Sequence, residues 1–261
     1  MFKKTIALLL LLVLTLNAEI IETPHFKELK NFTSQDTLLV LDIDDTLLIT
    51  KQMLGCDEWF TRRVVDLTHA GLPHKAAMAK AIGEWEGIRQ LTQMELVEAG
   101  TESIIHQLQA QGFKIMGLTT QGLALSTCTI GHLREVDIDL ARTAPAEHDH
   151  YFLNGLGVLY HKGILFTSGT PKGAALVRLL DHIGYKPSAV VFINDKASHL
   201  KDLQSHLEER GIKFIGLRYS YSDARKAAYC HKIAHIQFNH SNFGRILTDA
   251  EAAGIFDKKG Q

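Results

Sequence analysis

Four segments of the chain are predominantly apolar and lack the alternation of a half-exposed strand. They are residues 38–43, 113–118, 189–193 and 213–217. Such segments are typical of strands in a parallel sheet that is covered on both faces. Helical periodicity precedes the last three and ends before Gly112, Gly184 and Gly211, where helices commonly stop. This alternation predicts a doubly wound, Rossmann-like α/β fold, which binds ligands outside the carboxyl ends of its strands.

One long stretch departs from this alternation. Residues 50–99 show helical periodicity, and Trp59 and Phe60 fall on one apolar face. We interpret the stretch as a small helical cap inserted into an α/β core made of residues 19–49 and 100–261. The two aromatic side chains are expected inside the cap, and the alternative is that either of them lines a substrate pocket.

Two shorter segments have their own patterns, and residues 19–37 read as a polar linker. Residues 157–160 and 164–166 are rich in β-forming side chains around a glycine, which predicts a β-hairpin. Residues 147–150, Glu-His-Asp-His, have side chains that bind metals. Neighbours in sequence rarely all reach one ion, and their spacing fits no standard zinc pattern, so an exposed polar loop is the expectation.

The N-terminus has the layout of a signal peptide. Lys3 and Lys4 precede the apolar run of residues 5–16, and a small residue, Ala18, follows before Glu19. An apolar run of this length is short for a membrane span, which needs about 20 residues. We therefore expect residues 1–18 to be a signal peptide cleaved after Ala18, no stable membrane anchor afterwards, and export to a periplasm or to the outside.

Composition narrows the class of partner. The chain has 261 residues, 46% of them hydrophobic, which is enough to bury a sizeable core. Its formal net charge of -1 provides no excess of basic side chains for a phosphate backbone, so nucleic-acid binding is not indicated. Cys56, Cys128 and Cys230 allow at most one internal disulfide, and three small buried thiols are the alternative.

Polar side chains cluster where the predicted strands end. Asp42 and Asp44 follow the first strand, and residues two apart in an extended segment project to the same side. Two such carboxylates are commonly neutralised by a hard divalent cation such as Mg²⁺ together with a substrate phosphate. Thr119 follows the second strand, with Thr120 as the alternative hydroxyl, and Asp195 follows the third.

A cationic side chain is predicted at the same edge of the sheet. In the segment Ser168–Gly173, Thr170 suits a helix N-cap and Pro171 the first helical position. Lys172 then falls in the first turn of that helix. Four strand or helix ends thus offer a nucleophile, a hydroxyl group, a cation and a metal ligand.

These four elements, in this order, resemble the four motifs of the haloacid dehalogenase superfamily. Three segments are similar to a bacterial family known as DUF2608: Asp42–Thr46, Gly55–Phe60, and Ile164–Gly169 with Lys172. The resemblance implies an α/β core with a cap, Mg²⁺ as cofactor, and hydrolysis of a phosphorylated small molecule.

The resemblance also implies a role for each residue of the site. Asp42 would be the nucleophile and a metal ligand, and Asp44 the general acid and then base, reaching the metal through its main-chain carbonyl. Thr119 would donate a hydrogen bond to a phosphoryl oxygen, Lys172 would neutralise charge, and Asp195 would bind the metal. The chemistry agrees, because an aspartyl-phosphate divides one difficult displacement into two easier ones.

One departure from the superfamily pattern leaves rival functions open. Many relatives have two acids at the fourth motif, where this chain has Asn194 before Asp195, and His199 stands four residues later. The metal would then be held by fewer carboxylates, with water or Asn194 completing the set. This departure and the predicted export motivate one alternative to a phosphatase, a non-catalytic binding module; a second alternative is a phosphotransferase that passes the group to an acceptor alcohol. Asp45 is expected to be a turn residue and not a third catalytic acid.

Overall fold

A mostly parallel sheet with helices on both faces confirms the predicted fold class. The computed structural model describes residues 19–34, 36–240 and 245–259. Its strands are β1 (Glu19–Thr23), β2 (Thr37–Leu41), β3 (Leu48–Thr50), β4 (Met94–Leu96), β5 (Lys114–Thr119), β6 (His150–Phe152), β7 (Val158–His161), β8 (Ile164–Phe166), β9 (Ala189–Asn194) and β10 (Lys213–Tyr219).

Eight of these strands form one sheet in the order β1-β10-β9-β2-β5-β8-β7-β6. All neighbours from β1 to β8 are parallel, whereas β7 pairs antiparallel with β8 and with β6. The predicted hairpin is therefore confirmed as β7 and β8. Because β2 lies between β9 and β5, the polar residues that follow these three strands meet at one edge of the sheet.

Helices cover both faces of this sheet. They are α1 (Asp57–His69), α2 (His74–Arg89), α3 (Thr101–Ala110), α4 (Ser126–Glu135), α5 (Lys172–Ile183), α6 (Ala197–Glu208), α7 (Asp223–Ala227), α8 (His231–His240) and α9 (Asp249–Lys259). Along β2, Leu39 and Leu41 pack with α3 and α4, whereas Leu38 and Val40 pack with α5 and α6. This double burial explains the continuous apolar pattern of the strand.

Residues 19–37 are not the polar linker that the sequence indicated. Glu19–Thr23 is the edge strand β1, which pairs in parallel with β10, and Phe26–Phe32 forms a 3-10 helix whose Phe26 and Leu29 are buried. A five-residue strand has a weak local pattern. It exists because its backbone pairs with a strand nearly 200 positions away, which local periodicity cannot reveal.

The insert consists of two helices on a short two-stranded stem. α1 and α2 lie between β3 and β4, which pair antiparallel. Trp59 is buried beside Ala234 and Ile246 and contacts the Phe238 ring at 5.8 Å between centroids. α8, which the predicted domain division places with the core, thus packs on α1 as well.

The N-terminal prediction concerns residues 1–18, which lie outside the described residues. Among the residues that are described, no helix combines the length and the apolar character needed to cross a membrane.

Candidate active site

Asp42 and Lys172 form a buried ion pair at the edge of the sheet. Lys172 Nζ donates to Asp42 Oδ1 at 2.5 Å, and the two side chains are 1% and 7% exposed. The main chain of Asp42 is held as well, because its N–H donates to the carbonyl of Ile193 in β9 at 3.1 Å. Burial raises the pKa of Asp42 to about 7; Lys172 opposes this shift and Asp195 adds to it.

The helix that presents Lys172 begins differently from the prediction. Lys172 is the first residue of α5 and Pro171 occupies the N-cap position, where it makes no side-chain cap. The Thr170 hydroxyl accepts a hydrogen bond from Asn154 Nδ2 at 2.8 Å instead of capping the helix. Asp202 Oδ2 accepts from the N–H of Gly173 at 2.8 Å. A carboxylate from α6 therefore caps the first turn of α5, the helix that Lys172 begins.

Asp44 is held by two donors that the sequence did not indicate. Arg89 Nη2, from the end of α2, donates to Asp44 Oδ1 at 2.7 Å, and Gln121 Nε2 donates to Oδ2 at 2.8 Å. Gln121 is fixed in turn by Thr129, whose hydroxyl donates to its Oε1 at 2.5 Å. The insert thus places a buried arginine directly on the predicted acid-base residue.

The Thr119 hydroxyl lies at the end of β5, as predicted. Its Oγ1 accepts a hydrogen bond from the N–H of Gln121 at 3.1 Å, and the side chain is buried. A hydroxyl that accepts through oxygen still has its hydrogen to donate. Thr120, the alternative hydroxyl, is exposed at the wall of a neighbouring cavity.

Asp195 has one oxygen in an ion pair and one without a partner. Lys226 Nζ, from α7, donates to Asp195 Oδ2 at 2.6 Å. Asp195 Oδ1 is buried and makes no hydrogen bond within the described part of the chain. A buried carboxylate oxygen in that state costs free energy unless a cation or a donor reaches it.

Asn194 acts in the turn that follows β9. Its Oδ1 accepts from the N–H of Lys196 at 2.7 Å, and its Nδ2 lies 3.4 Å from Nδ1 of His199. The amide oxygen thus accepts one hydrogen bond and keeps a second lone pair, so both water and Asn194 remain candidates to complete a metal site. This turn also positions Asp195, whose N–H donates to the Thr46 hydroxyl at 3.2 Å.

Two carboxylates at this site suit a hard divalent cation, whereas a third, that of Asp44, is already hydrogen-bonded to other side chains. Asp42 and Asp195 supply carboxylates, and the orphaned Oδ1 of Asp195 suits such a ligand. Both carboxylate oxygens of Asp44 are occupied by Arg89 and Gln121, so Asp44 would contribute its main-chain carbonyl. Across the described ranges no three His, Cys, Asp or Glu side chains converge on one point. Two carboxylates, a carbonyl, phosphate, and water or Asn194 would therefore make up the set.

Ion pairing neutralises most of the acidic charge at this edge. The pairs are Asp42 with Lys172, Asp44 with Arg89, Asp57 with Lys196, and Asp195 with Lys226. Of the four cations, only Lys172 was predicted from the sequence. The other three follow no motif; Lys196 lies close to a predicted strand end, whereas Arg89 and Lys226 had no signal in the sequence.

Asp45 is a buried acid in this region that has no cationic partner among the described residues. It is buried in the turn after β2 with a left-handed φ of 59°, and its N–H donates to the carbonyl of Leu48. Its role as a turn residue is thereby confirmed. Burial, together with the charges of Asp57 and Asp195, raises the pKa of Asp45 to about 9. This shift favours the neutral form of the carboxyl group.

A cavity of about 500 Å³ opens beside these residues. It lies between α1 and α2 of the insert and the loops that follow β5 and precede α5. On the side of the sheet it is lined by Thr120, Gln121 and Ser168, and on the side of the insert by Phe60 and Trp85. Cavities of this size hold small-molecule ligands. Phe60 therefore lines the pocket, which was the alternative reading of the sequence, whereas Trp59 is buried in the interior.

Two other features of the sequence give no second site. In the loop of residues 147–150, Asp149 pairs with His161 Nδ1 at 2.8 Å, and the His150 ring contacts the His182 ring at 4.9 Å between centroids. The three cysteines are free and partly buried, so the alternative of a disulfide is not realised. Burial raises the pKa of the Cys56 thiol beyond its ordinary value, which keeps it protonated.

His199 gives the site a testable dependence of stability on pH. Burial, with the charges of Lys172 and Lys196, lowers the pKa of His199 to about 3. An unfolded histidine titrates near 6.5, so the unfolded chain binds more protons between pH 6.5 and 3, and stability falls as the pH falls through this range. We expect His199→Asn to reduce the loss of unfolding free energy between pH 7 and pH 4 by about 2 kcal/mol.

Urea denaturation at both pH values, in the presence of chelator, measures this difference. His148→Asn is the matched control, because His148 is exposed in the loop before β6. The explanation is wrong if wild type and His199→Asn lose the same unfolding free energy on acidification.

Comparisons with known proteins place the chain in a family. The family described as "Protein of unknown function (DUF2608)" matches residues 22–253. A candidate outer membrane protein of Chlamydia pneumoniae is 28% identical over 246 residues, which cover 90% of this chain and 89% of that protein.

Solved structures with similar folds include two hydrolases. A HAD-superfamily hydrolase from Geobacter sulfurreducens has a TM-score of 0.43 and 12% identity, covering 73% of this chain and 98% of that chain. The class C acid phosphatase from Bacillus anthracis has a TM-score of 0.35 and 18% identity, covering 88% and 81%. The family match spans most of the sequence, and the chain therefore belongs to the DUF2608 family.

Proposed function

We propose that the chain is a Mg²⁺-dependent phosphohydrolase that cleaves phosphomonoesters of small molecules through an aspartyl-phosphate on Asp42. The observation that supports this most is the buried pair of Asp42 and Lys172. It lies at the carboxyl edge of the sheet, with Asp44 two residues away and a cavity of small-molecule size beside it.

Each residue has a defined part in the two steps. The Asp42 oxygen that Lys172 does not hold attacks phosphorus, the phosphorus–ester oxygen bond breaks, and Asp44 gives a proton to the departing alcohol. Water then attacks the phosphorus while Asp44 takes its proton, which releases phosphate and restores Asp42. Lys172 and the Thr119 hydroxyl stabilise the charge on the phosphoryl oxygens.

The metal belongs to the same proposal. Asp42 and Asp195 would hold Mg²⁺ through their carboxylates, and Asp44 through its main-chain carbonyl. When bound, the ion offsets the negative charge of the transferring phosphoryl group. Lys226 donates to Asp195, so this lysine also neutralises the charge of a proposed metal ligand.

Phosphate release from 4-nitrophenyl phosphate by the chain from Glu19 onward tests the proposal. We expect release with Mg²⁺, none with chelator, and a gain of one phosphoryl group on Asp42 in acid-quenched protein. Added alcohols that yield phosphorylated alcohols would identify a phosphotransferase. Background rates over sugar, nucleotide and lipid phosphates, with no phosphorylated Asp42, would favour the binding module.

Arg89 is expected to position Asp44 for proton transfer. Replacing it with Met removes the hydrogen bond at 2.7 Å and leaves Gln121 as the other donor to Asp44. We expect kcat to fall about tenfold to a hundredfold with a smaller change in KM, since a misplaced acid affects the chemical step. Arg134→Met on the exposed side of α4 is the control. An unchanged kcat for Arg89→Met would contradict this role.

Export is part of the proposed function. The relative from Chlamydia pneumoniae is named as an outer membrane protein, and the N-terminal sequence of this chain has the layout of a signal peptide. Cleavage after Ala18 would leave Glu19, the first residue of β1, as the new N-terminus. We expect the mass of the exported protein to match a chain that starts at Glu19, and a mass that includes residues 1–18 would contradict cleavage.

A further inference from the structure

The cavity beside the site is largely apolar. It is bounded by α1, α2, the loop after β5 and the tip of the hairpin formed by β6 and β7. The apolar side chains come from both the insert and the core: Phe60, Met78, Ile82, Trp85, Leu123 and Leu156. Polar side chains also line it, namely Asp57, Glu86, Thr120, Gln121 and Ser168, but a sugar or a second phosphate placed against the apolar side chains would lose hydration there without gaining hydrogen bonds. The lining therefore favours a leaving group with an apolar body.

The charge in this cavity is acidic. Among the lining residues in the described chain the ionisable side chains are Asp57 and Glu86, and none is a lysine, arginine or histidine. Lys196 neutralises Asp57. Glu86 is half-buried and makes no hydrogen bond or ion pair within the residues that the structure describes. One unpaired carboxylate therefore faces the space where a leaving group would lie.

Glu86 also lies close to the reacting groups. A β-carbon placed on Gly122 would come within 2.8 Å of Glu86 Oε1, so the carboxylate rests against the main chain of Gly122. Gly122 directly follows Gln121, which donates to Asp44. A cation held by Glu86 would thus belong to the leaving group that Asp44 protonates, and not to a distant surface.

Aromatic rings also favour positive charge at this wall. The Arg89 guanidinium already lies over the Trp85 ring, 5.2 Å from its centroid, so Phe60 is the ring that a ligand ammonium would face. The rings of Phe60 and Trp85 are 6.0 Å apart between centroids and inclined at 59°. Trp85 is fixed in place, because its Nε1 donates to the carbonyl of Gly55 at 2.8 Å. Aromatic faces attract ammonium groups by their quadrupole, and most strongly where water is excluded.

We infer that the cavity binds the leaving group of an amine-bearing, largely apolar phosphomonoester, such as an aryl phosphate with an ammonium side chain. That the bound group is the leaving group of a reaction rests on the proposed function, but the binding preference itself does not require turnover. Leaving groups that bear a carboxylate or a second phosphate are disfavoured by Glu86.

Three phenols that differ in the charge of one substituent test this preference without catalysis. Calorimetric titration of the chain from Glu19 onward would compare tyramine, 4-ethylphenol and 3-(4-hydroxyphenyl)propionate. We expect tyramine to bind about tenfold more tightly than the neutral phenol, and the carboxylate to bind most weakly. Glu86→Gln should abolish the advantage of tyramine over 4-ethylphenol while leaving 4-ethylphenol unchanged. Glu95→Gln, an exposed acid on β4, is the charge-matched control and should keep wild-type preferences.

The inference is overturned if the carboxylate binds as tightly as the amine, if none of the three phenols binds, or if Glu86→Gln keeps the tyramine advantage. The phosphate esters of the same phenols separate this inference from the proposed function. Selective binding of tyramine without hydrolysis of any ester would contradict the proposed phosphohydrolase and support the ammonium site. Hydrolysis of all three esters at equal kcat/KM would contradict the ammonium site and support the phosphohydrolase.

Discussion

Replacing Asp42 with Asn is expected to lower phosphate release by at least about a thousandfold, because an amide oxygen cannot form the acyl phosphate. The phosphoryl group on the quenched protein should disappear with it. Steady-state release from 4-nitrophenyl phosphate with Mg²⁺ measures the first effect, and intact mass after acid quenching measures the second. Asp257→Asn, an exposed residue of α9, makes the same chemical change away from the site and should be fully active.

Asp42→Asn also leaves buried Lys172 without its anionic partner, so a folding defect has to be distinguished from a chemical one. Asp42→Glu makes that distinction. It keeps a carboxylate for Lys172 but moves the attacking oxygen by one methylene group, so we expect a loss of about a hundredfold or more in kcat with near wild-type unfolding free energy. Either folded variant with wild-type turnover would exclude Asp42 as the nucleophile.

Replacing Lys172 with Met is expected to have the second largest effect. The buried carboxylate of Asp42 then has no cation, and breaking a buried pair by removing one partner costs about 3 to 5 kcal/mol. Turnover should fall by about a hundredfold or more, since charge on the phosphoryl oxygens also loses its stabilisation. Lys201→Met on the exposed face of α6 is the control for the loss of a lysine.

The stability defect of Lys172→Met has a predictable dependence on pH. The pKa of Asp42 is already raised by burial, and the loss of Lys172 raises it further. An unfolded aspartate titrates near 3.9, so above that pH the folded chain binds more protons than the unfolded chain and stability falls as the pH rises towards the folded pKa. The deficit relative to wild type should therefore be larger at pH 7.5 than at pH 5 in chelator. A deficit that does not change with pH would show that Lys172 acts through packing alone.

The sequence by itself determined the central strands of the sheet and the residues at their carboxyl ends. Continuous apolar segments are typical of strands buried on both faces, and their polar ends mark the carboxyl edge of a parallel sheet. Asp42, Asp44, Thr119, Lys172 and Asp195 therefore followed from local pattern and motif order. The N-cap of α5 was the small error here, because Thr170 bonds to a side chain outside its own helix.

Only the tertiary structure decided which side chains hold these residues and what surrounds them. Arg89 meets Asp44 across 45 positions, and β1 pairs with a strand near the other end of the chain. The first contact depends on how the insert packs on the sheet and the second on pairing between distant strands, and neither leaves a periodic trace in the sequence. The wall of the cavity that includes Glu86 is likewise formed by α2, whose periodicity predicted a helix but not which of its residues face a cavity. Local structure follows from neighbouring residues, whereas charge pairing and pocket shape follow from residues that the fold brings together.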